Sequence, residues 1–328
     1  MEKAGCKMKK RIGIITSGGD APGMNAAIRS VVRYGIEQEM EIIGFERGYE
    51  GVIEDESYPL DVAAVGDIIQ RGGTMLKTAR SRRFETLEGQ KEAAATLNRH
   101  EIDTLVAIGG DGTFRGAVDL SRLGIAVIGL PGTIDNDMGY TDFTIGFDTA
   151  VNTVLSAIGN IRDTTSAHER TTIVEVMGRN CGDIALYSGV TGGAEYILIP
   201  ELPVDTEAIC DKISEGMNRD KTHNIIIKAE GVDIPSQELA DILQKKTGKE
   251  VKTVVLAYIQ RGGSPSAKDR MLATLMGKRA VELVLEDSGS RAIGICGSEI
   301  MDCSLEKAVA TRREADLELL KLIDILSK

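Results

Sequence analysis

Short, continuous apolar runs alternate with longer stretches of helical period along the whole chain. The runs at 12–16, 41–45, 105–109, 126–130, 172–176, 196–199, 225–228, 254–259 and 293–296 are mostly aliphatic and lack strict apolar–polar alternation. Runs of this kind predict strands of a parallel sheet covered on both faces. The segments 23–38, 88–99, 113–123, 147–162, 205–218 and 266–286 predict helices, with Asp205 ahead of Glu207 as a start signal. Strand–helix alternation throughout specifies a doubly wound α/β architecture. At 328 residues the chain favours about two domains over one. No Pro- or Ser-rich linker, short repeat or low-complexity stretch marks a boundary between them.

Glycine changes the picture, because many of the 37 glycines follow predicted strands. Ligands of open parallel sheets bind where strands turn into helices at their carboxyl ends. Four such ends carry unusual loops: TSGGD at 16–20, GGDGT at 109–113, PGTIDND at 131–137 and MGRNCGD at 177–183. Gly18-Gly19 and Gly109-Gly110 have no Cβ to keep an anion from backbone N–H groups, and the following helices add their positive ends. Neither is a G-x-x-x-x-G-K-[ST] loop or a G-x-G-x-x-G fingerprint. Asp111 suits Mg²⁺ binding or helix capping. Asp135 and Asp137 flank Asn136, which suits one proton-handling carboxylate and one bound to metal or hydrogen-bonded, or else an Asx-rich turn. Arg80, Arg170, Arg179 and Arg261 lie in loops and suit bidentate phosphate binding, whereas Arg82 and Arg83 read as surface residues.

Charge and composition narrow the classes. Fifty acidic against 39 basic side chains give a net charge of −11, which disfavours nucleic acid and anionic membranes as partners. No apolar run approaches the roughly 18–20 residues of a membrane span, and 12–15 is too short for a signal-peptide core. Five cysteines without ligand spacing read as reduced thiols in a cytoplasm. His100 and His223 have no ligand spacing, His168 has no second His of a metalloprotease helix, and no Gly-x-Ser-x-Gly elbow supports acyl transfer. Anion loops, two kinds of carboxylate and guanidinium groups assemble into a phosphoryl-transfer site whose acceptor the residues alone leave open.

The blocks TSGGDAPGMNAAIR (16–29), RGGT (71–74), IGGDGT (108–113), GLPGTIDND (129–137), TIGFDTA (144–150), EVMGRNCGD (175–183) and IQRGGSPSAKDR (259–270) together resemble the bacterial ATP-dependent 6-phosphofructokinases, in the family's order and over nearly the whole chain. GGDGT alone is shared with NAD kinases and diacylglycerol kinases; the combination is specific. The resemblance implies two similar Rossmann-like domains with largely parallel sheets: an ATP-binding domain of 1–145 plus 259–309, and a fructose 6-phosphate-binding domain of 146–258 plus 310–328. It also implies a cytoplasmic homotetramer with the active site between domains. Asp135 matches the base for the sugar 1-hydroxyl, Asp111 the Mg²⁺ carboxylate and Asp137 the acid supporting metal and transition state. Gly19, Arg80, Thr133 and Arg179 match positions that stabilise the transferring group. Ser81, Gly110, Gly112 and Thr113 match the nucleotide site. Ile134, Met177, Gly178, Glu230 and Arg261 match sugar-phosphate contacts, and Arg170 one reaching in from a neighbouring subunit.

Two departures concern the 6-phosphate: Lys252 replaces an Arg of the family pattern and Tyr258 a His, which implies weaker fructose 6-phosphate binding. Arg29, Arg33, Arg162, Glu195, Arg219, Lys221 and His223 match or replace contacts to an ADP or phosphoenolpyruvate effector, but Val62 stands where the family has an Arg. Pyrophosphate-dependent relatives carry Asp at the position of Gly112 and Lys at that of Gly132, so the two glycines favour ATP; Tyr258 pulls towards pyrophosphate. A nucleotide sensor without turnover would gain nothing from Asp111, Asp135 and Asp137. Another GGDGT kinase would lack the Asp135 loop and the second set of arginines.

Overall fold

A computed structural model describes residues 9–217 and 222–327. The chain folds as two units. The first runs to Thr133 and takes in Met138–Gly146 and Gly263–Arg312; the second holds Ile134–Asp137, Phe147–Gly262 and the chain from Arg313 on. The sequence-based boundaries instead put 134–137 and 259–262 in the first domain, and 146 and 310–312 in the second. Side-chain hydrogen bonds and one backbone bridge account for most of the difference. Asn136 bonds Asp183, Gln260 bonds Met177, and Arg312 bridges Met138.

In chain order the first unit contains β1 (Arg11–Ser17), α1 (Met24–Glu37), β2 (Glu41–Phe45), α2 (Gly48–Ile53), β3 (Ser57–Pro59), α3 (Leu87–Arg99), β4 (Thr104–Gly109), α4 (Asp111–Arg122), β5 (Ala126–Thr133) and β6 (Ile145–Gly146). The second adds α5 (Phe147–Ala167), β7 (Thr171–Val176), α6 (Asp183–Thr191), β8 (Tyr196–Leu198), α7 (Thr206–Met217), β9 (Asn224–Ala229), α8 (Ser236–Thr247), β10 (Val251–Val255) and a 3-10 turn at Ala257–Arg261. The chain then returns to the first unit for α9 (Ala267–Leu285), β11 (Arg291–Cys296), β12 (Glu299–Cys303) and α10 (Leu305–Ala310), and ends in the second with α11 (Leu317–Leu326).

The first sheet has the order β12-β11-β5-β4-β1-β2-β3, with β6 beside β5. Its interior strands are parallel, and only the edge strands β3 and β12 run antiparallel. Every residue of β4 is buried, as its unbroken apolar run requires. Phe45, Leu97, Leu105 and Phe114 form one core under α3 and α4. On α9, Gly277 lets α1 approach closely: an added Cβ would stand 2.6 Å from that of Ser30. The chain leaves β1 for β2 on one side and reaches β4 on the other. This is a switch point of the strand order, and open α/β sheets bind ligands at the carboxyl ends beside such a point. Ser17 pairs with Gly109, and Gly109 with Pro131, so three of the four singled-out loops start level with one another.

The second sheet, β10-β7-β9-β8, is wholly parallel. Its register sets Val176 beside Ala229 and Glu175 beside Val255, aligning the loops after β7, β9 and β10. The apolar run at 254–259 is not the strand its composition predicts. The ladder ends with the Leu256 N–H on the Glu175 carbonyl, Ala257 takes φ 46°, and Tyr258 and Ile259 are exposed. The sequence reading also missed the short β3 and β6 and the polar β12. Asp205 caps α7 as expected, accepting the Ala208 N–H at 3.0 Å. Among the described residues no helix is long and apolar enough to cross a membrane.

Candidate active site

The first unit supplies two glycine loops whose backbone suits an anion. Gly18 takes φ 87°, and its carbonyl accepts from Thr78 Oγ1 at 2.7 Å, which fixes the turn carrying Gly19. Thr113, buried, donates from Oγ1 to the Ser17 carbonyl at 3.0 Å and ties the two glycine loops together. An added Cβ on Gly109 would stand 2.3 Å from that hydroxyl oxygen and 2.4 Å from the Ser17 carbonyl oxygen, so only glycine fits. Gly110, not Asp111, is the N-cap of α4, which sets aside a capping role for Asp111. The Asp111 carboxylate instead accepts from Arg115 Nε at 2.8 Å, with 39% of its side chain exposed. A single reachable carboxylate beside anion loops suits Mg²⁺ carried on phosphate oxygens. Among the described residues no three acidic, His or Cys side chains gather as a metal cage. Ser81 bonds Glu50, Arg80 is exposed, and Arg83 pairs with Glu54 and Glu92 as a surface residue. Thr133, at the end of β5, is held through its carbonyl by Thr144 Oγ1 at 2.6 Å.

In the second unit the loops after β7, β9 and β10 converge on the 134–137 segment. Asp135 is 1% exposed, and its Oδ2 lies 3.2 Å from Arg179 Nε. Burial raises its proton affinity above that of an ordinary aspartate; Arg179 and Arg261 oppose the rise, and Glu230 adds to it. Ile134 is fully buried beside it. The turn that carries Arg179 needs its glycines. Gly178 takes φ 131°, where a Cβ would stand 2.4 Å from the Cys181 carbonyl oxygen. Gly231 passes so close beneath Arg179 that a Cβ would stand 1.9 Å from its carbonyl oxygen. Glu230 Oε1 accepts the Arg179 N–H at 3.0 Å.

The sequence reading missed Gln260. Fully buried, it accepts the Met177 N–H at 3.1 Å and donates to the Ala257 carbonyl at 3.0 Å. It thus joins the Met177–Arg179 turn to the 3-10 turn that carries Tyr258 and Arg261. A lone amide after an apolar run was the available signal.

Arg170 and Lys252 do not join this group. Arg170 precedes β7 and Lys252 pairs with Thr172, so both belong to the amino edge of the sheet. Arg170 Nε is buried with no hydrogen-bond partner among the described residues, and Lys252 pairs with Glu250 at 2.7 Å. Of the expected effector residues, Arg29 and Arg33 lie one turn apart on α1 in the first unit. In the second unit, Arg162 donates to the Gly192 and Gly193 carbonyls at 2.7 and 2.8 Å, Glu195 accepts the Ile225 N–H, and His223 lies half-buried before β9. Arg219 and Lys221 lie outside the described residues. Val62 is exposed.

A phosphofructokinase family model matches residues 11–284. The chain is 53% identical over 319 residues to an ATP-dependent 6-phosphofructokinase of Clostridium botulinum (strain Loch Maree), covering 97% of this chain and 100% of that one. It is also 53% identical over 318 residues to an ATP-dependent 6-phosphofructokinase of Alkaliphilus metalliredigens, covering 97% and 99%. Among solved structures, phosphofructokinase from Saccharomyces cerevisiae superposes with a TM-score of 0.89 at 33% identity. That match covers 96% of this chain, which spans half of the yeast chain.

The Asp135–Arg179 pair gives a direct expectation. Burial favours the neutral acid and the guanidinium favours the carboxylate, so Arg179→Met should move the Asp135 titration midpoint to higher pH. Carbon-13 NMR of the carboxyl groups reads the midpoint; an unchanged value would show that Arg179 does not hold this charge.

Proposed function

Because the chain belongs to the phosphofructokinase family, we propose that its two sets of strand-end loops divide one reaction, the first unit holding nucleotide and the second the sugar phosphate and the base. The protein transfers the γ-phosphoryl group of ATP to the 1-hydroxyl of fructose 6-phosphate, giving fructose 1,6-bisphosphate and ADP. The observation that carries the chemistry is Asp135, a carboxyl shielded from water with its proton affinity raised, beside a guanidinium. In this reading Asp135 takes the hydroxyl proton as the new P–O bond forms. Arg179, Arg80, Thr133 and the Gly19 N–H orient and stabilise the transferring group. Asp111, supported by Asp137, would hold Mg²⁺, which when bound offsets the charge of the phosphate oxygens. Ser81, Gly110, Gly112 and Thr113 serve the nucleotide; Ile134, Met177, Gly178, Glu230 and Arg261 serve the sugar phosphate.

Arg170 and Lys252 fit this reading only through a second copy of the chain. Six residues of β7 at about 3.3 Å each separate Arg170 from the Met177 turn by roughly 20 Å, beyond the reach of one side chain. A buried guanidinium Nε without a partner suits a phosphate brought by a neighbour, so we assign Arg170, Lys252 and Tyr258 to a 6-phosphate site completed in a homotetramer. Lys252 keeps the charge but not the two-pronged geometry of Arg. Arg29, Arg33, Arg162, Glu195 and His223 stand as an ADP or phosphoenolpyruvate site. The enzyme is assigned to the cytoplasm, without nucleic-acid or membrane partners.

ATP is the donor. Gly112 is exposed, with no atom within 4 Å of an added Cβ, which leaves space for an α-phosphate. Gly132 is closed: an added Cβ would stand 2.9 Å from Ile108 Cγ2 and 3.2 Å from Met24 Cε.

A coupled assay with fructose 6-phosphate and either ATP or pyrophosphate tests the reading, and a higher kcat/KM with pyrophosphate would overturn the donor assignment. Asp135→Asn should bind both substrates yet lose about 10²–10⁴-fold in kcat; near-normal turnover would remove the base from the mechanism. Gly112→Asp places a like charge near the α-phosphate, worth roughly 4 kcal/mol at about 4 Å and an effective dielectric of about 20. It should lower kcat/KM for ATP by up to about a thousandfold while leaving fructose 6-phosphate binding nearly unchanged, and equal losses for the two substrates would contradict this placement.

A further inference from the structure

Between the base Asp135 and the acid Asp137 lies Asn136, fully buried and in the left-handed backbone region at φ 52°. An L-residue does not rest there without support. Its carboxamide nitrogen donates to Asp183 Oδ2 at 2.7 Å. Asp183 opens α6 and is 1% exposed. The same carboxylate oxygen accepts Arg313 Nε at 3.0 Å and lies 2.9 Å from a terminal nitrogen of that guanidinium. Three N–H donors therefore converge on one buried oxygen. One comes from the loop that carries the base, and two come from the segment that leads into α11. A buried carboxylate is tolerated when a partner balances its charge and fills its lone pairs. Here Arg313 supplies the charge, and the hydrogen bond left over is spent on Asn136.

We propose that Asp183 and Arg313 are positioning residues for phosphoryl transfer: Arg313 fixes the Asp183 carboxylate, Asp183 fixes the Asn136 carboxamide, and the Asn136 backbone so held aims Asp135. The proposal rests on the reading of Asp135 as the base. Neither residue needs to touch a substrate. Asp183 was visible in the sequence as the last residue of MGRNCGD, and nothing in the composition around Arg313 singles it out. The Cys181 Sγ, 3.9 Å from the Asn136 carbonyl oxygen, closes the other side of the loop.

Positioning and structural roles separate in kinetics. Misplacing a reacting group by about 1 Å costs on the order of 10²-fold. Asp183→Asn keeps the shape and an acceptor but removes the carboxylate charge that Arg313 meets at 2.9 Å. It should lower kcat about ten- to a hundredfold at saturating substrates, with both KM values within about threefold of the parent. Arg313→Met should do the same, and Arg313→Lys should restore part of the loss. The double variant Asp183→Leu with Arg313→Met removes the charges together, so it folds even if a single change leaves an uncompensated one. Its kcat should fall as far as that of the worse single variant. The decisive comparison adds Asp183→Asn to Asp135→Asn. If Asp183 acts through the base, the pair should be no slower than Asp135→Asn alone, because there is no base left to misplace. Multiplying losses would overturn the proposal, as would a folded Asp183→Asn enzyme with parental kcat. Near-normal turnover in Asp135→Asn alone would instead sink the assignment of the base.

Discussion

A carboxyl group withdrawn almost entirely from water is the constraint around which the second unit is arranged. Taking a carboxylate out of water costs several kcal/mol, and only a nearby opposite charge in good geometry offsets that cost. Asp135 meets Arg179 at 3.2 Å, and Arg261 opposes the same rise in proton affinity. Those guanidiniums must therefore be held where loops, left alone, would not hold them. Gly178 permits the turn, Gly231 lets the next strand end pass under it, Glu230 binds the Arg179 N–H, and Gln260 joins it to the turn that carries Arg261. The proton affinity of Asp135 is set by competition between burial, which raises it, and the paired guanidiniums, which oppose the rise.

The first unit solves a different problem with different means. Phosphate needs N–H donors at close range, and these are available at the carboxyl ends of adjacent parallel strands only if no Cβ intervenes. The register Ser17–Gly109–Pro131 brings three strand ends level, and the Thr113 hydroxyl on the Ser17 carbonyl keeps the first two from drifting apart. Asp111 begins α4 with its carboxylate held by Arg115, which fixes its orientation beside the glycine loops. The chain passes from one unit to the other within the 131–137 segment, which supplies Thr133 to one unit and Asp135 to the other.

Most of the parallel strands were legible because each carries a short apolar run, and the loops stood out because glycine and acid recur together at the strand ends. The 254–259 run misled for a physical reason. Val255, Tyr258 and Ile259 are apolar yet exposed, so their composition reports something other than burial in their own sheet. The edge strand β12 was hidden by its polar residues, since only one neighbour, β11, needs to pair with it. Arg170 reads in the sequence as a phosphate ligand, but its place at the amino edge of β7 was not legible, because residue type carries no information about which end of a strand a residue takes. Gln260 and Arg313 escaped for another reason: they bond backbone and other side chains, which no motif spacing records, and Asp183 stood in a singled-out loop without its partners being legible.

Three residues around Asp135 that are not glycine sit in the left-handed region: Asn136, Arg179 and Ala257, with φ of 52°, 52° and 46°. Each such conformation costs on the order of 1–3 kcal/mol. Each also has its own side-chain anchor. Asp183 takes the Asn136 carboxamide, Glu230 the Arg179 N–H, and the Gln260 amide donates to the Ala257 carbonyl. A hydrogen bond to a charged group contributes roughly 1.5–3 kcal/mol and a neutral one about 0.5–1.5. The anchors are thus of the same order as the strain they oppose, with little surplus. The anchors lie in separate segments, after β7, after β9 and after β10, so no single loop holds the geometry alone. Removing any one leaves a strained residue free to relax, and the first thing displaced is the carboxylate or guanidinium it carries or adjoins. Local strain of this kind ties the loops around Asp135 to side chains in three other segments of the chain.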